Sequence, residues 1–233
     1  MSLILCIETS SKNCSVAISD NGQIISFQEA LDENYCHGEK LHVLIEKLLK
    51  NASISIDQID AFCFSSGPGS YTGLRIGASA IKGFAVALDK PVIIVSTLKS
   101  MVWGLLNTQF KKEKLEDVVF CPTLDSRQGE VYAAMYDSNF IEHLEPFACN
   151  VIHYSFSNFL EDKKIYFFGL GTHKIQSIIT HKNAFLIEDF FPSSRYLGYF
   201  AQMHFDNNNF VDLAYFEPLY LKPFIPTTPK KNK

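Results

Sequence analysis

No stretch of this chain approaches the roughly 20 apolar residues needed to span a bilayer, so a membrane-crossing helix is excluded. The apolar start is short and polar residues follow at once, which is not a signal-peptide pattern. A soluble cytoplasmic protein is therefore expected. Positive charge is not in excess: 21 Lys and Arg stand against 25 Asp and Glu, a net charge of −4. A stand-alone nucleic-acid binder is usually basic, so RNA held by this chain alone is disfavoured. Cys6, Cys14, Cys36, Cys63, Cys121 and Cys149 include no C-x-x-C pair, which removes zinc-ribbon and thioredoxin readings. Free thiols in a reducing compartment are expected.

Catalytic signatures are equally scarce. There is no H-E-x-x-H and no G-x-S-x-G elbow, and Ser66 and Ser70 both lack that frame. His37 and His42 are five apart, which on a helix points them in different directions and does not make a zinc pair. The other histidines have no carboxylate or cysteine at ligand spacing. No metal site is expected.

What the chain does have is one dense turn, Ser65-Ser66-Gly67-Pro68-Gly69-Ser70-Tyr71-Thr72-Gly73, between an apolar run and a Gly/Ala-rich helical pattern. A strand, a glycine turn and a helix start gather backbone N–H groups, which suits an anion or a tightly packed neighbour. The P-loop frame fails, because Gly67 and Gly73 are one residue too far apart and Leu74-Arg75 replaces Lys-Ser/Thr. The dinucleotide frame fails because Thr72 stands where the third glycine belongs. Thr9, Ser10 and Ser11, with Gly67, Gly69, Ser70, Thr72 and Gly73, remain the candidate nucleotide or anion contacts. The bland alternative is a tight joint whose helix is capped by Ser70 or Thr72.

Around this turn the pattern reads as α/β. Leu3–Ile7, Cys14–Ile18 and Gln23–Phe27 read as a strand meander, with Asn21-Gly22 as a hairpin turn. His37–Lys50 places Leu41, Leu44, Ile45, Leu48 and Leu49 on one helical face. Ala61–Ser65 is a strand, Leu74–Leu88 a helix and Pro91–Val95 a strand. Ser96-Thr97 caps a further helix. In the second half, strands are expected at Val118–Leu124, Glu130–Tyr136, Lys164–Phe168 and Ala184–Ile187. Short helices are expected after Ser155 and at Gly171-Thr172, and another from Pro192. Leu219–Phe224 reads as extended. Asp125, Arg127 and Glu130 cluster in one hairpin, read as a salt-bridged turn or as a functional contact with a partner or ligand. The charged stretch Gln109–Asp117 suggests lobes at 1–108 and 109–225, with a disordered polar tail over 226–233.

Several segments together resemble the TsaB (YeaZ) family. They are Leu5-Cys6-Ile7-Glu8-Thr9-Ser10, His37 before its helix, Ser66–Gly77, Ser96-Thr97-Leu98, Leu124–Tyr132 and Glu217–Lys222. They run in order along most of the chain; 142–209 matches weakly. The resemblance implies an actin/Hsp70-like (ribonuclease H-like) ATPase fold of two related lobes. It implies a non-catalytic dimerisation subunit that pairs with the paralogous transferase TsaD and the ATPase TsaE. That complex moves a threonylcarbamoyl group to adenosine 37 of ANN-reading tRNAs. tRNA contact is then mainly through the complex, with a homodimer as an option for the isolated chain. No cofactor is implied for the chain itself, and any ATP or ADP is expected within the complex. Where a kinase of this fold would want a metal-handling Asp, the chain has Glu8. The resemblance places the partner contact on the first lobe's two helices, here at His37, Leu41, Leu44, Ile45, Leu48, Arg75, Ile76, Ala80 and Phe84. An independent small ATPase or kinase of the same fold is the alternative; a peptidase lacks any nucleophile–base pair.

Overall fold

The computed structural model describes residues 2–32, 37–111, 115–127, 129–152 and 155–223. The tail 226–233 and Cys36 lie outside them. Two five-stranded mixed sheets carry the chain. The first is built from β1 (Leu3–Glu8), β2 (Asn13–Asp20), β3 (Gln23–Leu31), β4 (Ala61–Ser65) and β5 (Val92–Val95), in the order β3-β2-β1-β4-β5. The second uses β6 (Val118–Asp125), β7 (Glu130–Tyr136), β8 (Glu142–Asn150), β9 (Lys164–Phe168) and β10 (Ala184–Ile187), in the order β10-β9-β6-β7-β8. Strand for strand, the second order repeats the first. In each, an antiparallel meander is extended by parallel strands after helical crossovers.

Local chemistry explains the elements. Residues 4–7 form an unbroken apolar run buried on both faces, as a central strand between layers requires. β3 alternates exposed and half-buried residues because it is a sheet edge. α1 (His37–Ala52) and α2 (Tyr71–Leu88) cover one face of the first sheet. Leu41, Ile45, Leu48, Leu74, Ile81 and Ala85 join Leu5, Ile7, Phe62 and Phe64 in that core. Ser70 caps α2 by accepting the Gly73 N–H at 3.3 Å, so the helix begins a turn earlier than the apolar pattern suggests.

The two halves interleave. α3 (Thr97–Thr108) follows β5, yet Leu98, Met101 and Leu105 pack on the second sheet against Phe120, Tyr136 and Phe168. α6 (Gly198–Asp206) follows the second sheet, yet Phe200 and Ala201 pack on the back of the first against Ile4, Ala17 and Ile93. α4 (Ser157–Asp162) and α5 (Thr172–Gln176) cover the remaining face of the second sheet. β8 is the one strand missing from the sequence reading. It is a half-exposed edge strand with Pro146 inside it, so its pattern is weak.

Candidate functional site

The glycine turn is a joint, and most of what it offers is used within the fold. Ser66 N–H donates to Val95 O at 2.9 Å and Ser70 N–H to Ser10 O at 2.7 Å. Gly67 N–H donates to Thr97 Oγ1 at 3.1 Å, and that hydroxyl also bonds Ser65 Oγ at 2.7 Å. Thr9 Oγ1 donates to Gly73 O at 2.8 Å. The Gly67–Pro68 peptide is cis.

The glycines let α2 press on the β1–β2 turn. A Cβ at Gly69 would sit 2.5 Å from Ser10 O, and one at Gly73 would overlap Thr9 O. At Gly77 it would overlap Thr9 Oγ1 and lie 2.6 Å from Phe64 Cε2. His37 closes the same turn from α1, its Nε2 meeting Ser11 O at 2.7 Å. Burial holds the His37 imidazole below its ordinary pKa, so the neutral ring with Nε2–H as donor suits that contact. Glu8 is buried and accepts the Ser10 N–H on Oε1 at 2.5 Å. Burial raises its carboxyl above the usual range, against the opposing hydrogen bonds from Ser10, Ser65 and Thr9.

Between the lobes a cavity of about 220 Å³ remains, lined by Ser10, Ser11, Ser70, Asp125, Arg127 and Tyr132 among others. That is below the roughly 300 Å³ at which small-molecule pockets usually begin. Among the described residues, no group of three or more His, Cys, Asp or Glu side chains is placed to hold a metal. Of the nucleotide or anion candidates, Thr9, Ser10 and Ser11 are buried under the joint and Gly67, Ser70 and Gly73 are hydrogen-bonded within it. Gly69 packs on Ser10, and Thr72 points to the other side of α2, into the groove described next.

That groove is open, apolar and about 940 Å³ in volume. It runs along the outward side of α2 beside α1, and Tyr71, Arg75, Ile76, Ser79, Gly83 and Phe84 are among its lining. Val86 and Val43 are 72% and 60% exposed on the same two helices. A continuous apolar helix face of this kind marks an interaction site more often than scattered surface residues do. The expected interface residues divide. Arg75 is exposed, Ile76 is half-buried in the groove, and Ala80 and Phe84 form its floor. Phe84 stacks on Phe62 with ring centroids 5.7 Å apart. His37, Leu41, Ile45 and Leu48 are at most 3% exposed, and Leu44 packs against the same core. His37, Leu41, Ile45 and Leu48 are corrected from surface to interior, because α1 turns its leucine stripe onto its own sheet, whereas Leu44 stays half-buried at its edge. Tyr71, Ser79, Gly83 and Ala87 also line the groove and were not among the sequence candidates. Their signal in the sequence is the run of small residues at 79, 83 and 87, one turn apart, out of phase with Gly73 and Gly77.

Two sheets of repeated order with helices on their faces, a narrow cleft between them and an open helix pair define a two-lobed α/β protein of the actin-like class. Comparison with known proteins agrees. A family model described as tRNA N6-adenosine threonylcarbamoyltransferase (TsaD) matches residues 33–193, more than half of the chain. The tRNA threonylcarbamoyladenosine biosynthesis protein TsaB of Haemophilus influenzae is 28% identical over 228 residues, covering 94% of this chain and 93% of that one. TsaB of Escherichia coli is 34% identical over 144 residues, covering 61% and 59% respectively. The solved structure of YeaZ from Pseudomonas aeruginosa superposes with a TM-score of 0.77 at 24% identity, over 95% of this chain and 100% of that one. The chain belongs to the family that this threonylcarbamoyltransferase model describes, and within it to the TsaB (YeaZ) group.

Proposed function

We propose that this chain acts in threonylcarbamoyladenosine biosynthesis as a non-catalytic dimerisation subunit. It docks through the α1–α2 groove on a TsaD-type transferase, its paralogue. The observation that carries this reading is the outward stripe of α2: small or apolar residues one turn apart, open to solvent, with no other described atom within 4 Å of a Cβ at Gly83. Small residues let a second helix approach closely. A partner of the same family brings a related helix pair, so the contact is quasi-symmetric, and a second copy of this chain is the natural substitute when the partner is missing.

The use of Thr9–Ser11 and the glycine turn as internal packing supports a structural role over turnover. In this reading the transferase chemistry and its metal belong to the partner. A TsaE-type ATPase joins the pair. Any ATP or ADP is held within the assembled complex, and tRNA is engaged mainly through it, in line with the net charge of −4.

The test is co-purification with the transferase subunit of the same genome, with rescue of modified adenosine in a strain depleted of the native subunit. Gly83→Arg is expected to abolish both while the isolated chain stays folded. Ala80 and Phe84 are poorer probes, since both also pack in the core. Retained pairing in a folded Gly83→Arg chain places the interface elsewhere. Magnesium-dependent ATP turnover by the isolated chain sinks the non-catalytic reading.

A further inference from the structure

We propose that the Asp125–Glu130 hairpin and the segment Phe216–Pro223 form a latch between the lobes, energetically linked to the docking face of α2. This rests on the docking reading above and extends it to how that face is controlled.

On the second lobe, Lys174 from α5 pairs with Asp125 and donates to the carbonyls of Arg127 at 2.9 Å and Glu130 at 2.7 Å, fixing the hairpin. The hairpin then holds the C-terminal segment. Glu130 pairs with Lys222, both half-buried or better, and Arg127 Nη2 donates to Pro223 O at 2.7 Å. The clustered charges of the hairpin are therefore satisfied from two other elements, not by one another.

On the first lobe, the same segment seats on the joint. Phe216 is 8% exposed beside Phe64, with Lys82 Nζ 4.5 Å from its ring centroid. Leu219 N–H donates to Ser66 O at 2.7 Å, and Tyr220 lies against Tyr71 with centroids 4.8 Å apart. Tyr71 opens α2, and its hydroxyl accepts from Arg75 Nη1 at 3.1 Å. Tyr71 and Arg75 both line the docking groove. Contacts thus run without a break from Glu130 through Lys222 and Tyr220 to the groove.

The segment has no helix or strand of its own here, so side-chain and backbone contacts to the rest of the fold, these among them, set its position. In the proposed latch it has two states, the seated one seen here and a released one. A partner that touches Tyr71 and Arg75 meets different surfaces in the two states and so biases them. By reciprocity, whatever loosens the latch weakens the partner.

Lys222→Glu tests this in the full-length chain, with the transferase subunit of the same genome as the probe. Hydrogen exchange across residues 66–75 of the isolated chain is expected to quicken, and affinity measured by calorimetry to fall by about five-fold, the low end of ordinary coupling. The charge-swapped pair Glu130→Lys/Lys222→Glu restores both. Should Lys222→Glu fail to fold, Arg127→Ala, which removes only the bond to Pro223, replaces it with the same expectations. Unchanged exchange overturns the latch. Quickened exchange with unchanged affinity overturns the linkage. A wild-type chain that does not bind the transferase at all overturns the docking reading, and the linkage with it, whereas the exchange result still decides the latch.

Discussion

Gly77 and Gly83 lie on one helix, and the same methyl group should have opposite effects at the two. At Gly83 an added Cβ meets no other described atom within 4 Å, so only helix propensity acts. Gly→Ala in an exposed helix interior gains about 1 kcal/mol. For a chain of this size that raises Tm by roughly 2–4 °C. At Gly77 the same gain is opposed by overlap with Thr9 Oγ1 and by Phe64 Cε2 at 2.6 Å. Phe64 is fully buried in the centre of the sheet and Thr9 is held by its bond to Gly73 O, so neither can move away cheaply. Overpacking a dense core costs roughly 1–3 kcal/mol, and contacts this close belong at the upper end. The net is a loss of about 2 kcal/mol, seen as a Tm lower by roughly 4–8 °C. Urea unfolding of Gly77→Ala, Gly83→Ala and wild type measures both signs in one series. Gly83→Ala should also bind the transferase subunit more weakly, because its methyl group occupies space that the proposed partner needs. If Gly77→Ala is as stabilising as Gly83→Ala, α2 does not press on the β1–β2 turn and the account of the glycine joint fails.

Ser70→Ala removes the side-chain cap of α2 and should cost about 1 kcal/mol in urea unfolding; no loss would mean the cap is redundant. Glu8 has a raised folded pKa, so the native state holds its proton more tightly than the unfolded chain. Its contribution is therefore present below the ordinary value of 4.5 and is lost as pH rises through the folded pKa. Glu8→Gln keeps an acceptor for Ser10 N–H and should flatten that decline, checked by urea midpoints from pH 5 to pH 8. His37 acts in the opposite sense: its lowered pKa makes stability fall as pH drops below 6.5, and His37→Gln should remove that acid-side slope.

Much of the fold was legible because its strands are short apolar runs bounded by glycine, asparagine and serine turns. Leu3–Ile7, Ala61–Ser65 and Lys164–Phe168 coincide with strands to within a residue. The edges were the hard part. β8 buries too little to leave an alternating pattern, and only the repeat of strand order from the first lobe calls for a strand at that place. The exchange of α3 and α6 between the sheets left no local mark, because an apolar stripe records that a helix is buried and not which sheet buries it. The candidate site suffered from the same ambiguity. The leucines of α1 are the stronger apolar signal and belong to the core, while the proposed docking face is written in small residues that hydrophobicity ranks low.

α2 resolves that ambiguity by the phase of its small residues. The inward pair Gly73 and Gly77, with Gly69 in the turn just before the helix, brings α2 down onto Thr9 and Ser10, where a ligand-handling turn would otherwise lie open. The outward set, Ser79, Gly83 and Ala87, leaves the opposite side shallow enough to admit another helix. Both sets follow from the same geometry, four residues per step along one helix. A bulky residue in the inward set is expected to break the fold, and a bulky residue in the outward set to break only the proposed assembly. In the proposed reading, the glycine turn that begins this helix therefore matters less for what it could bind than for the angle at which it delivers two faces, one to its own sheet and one left open for a partner.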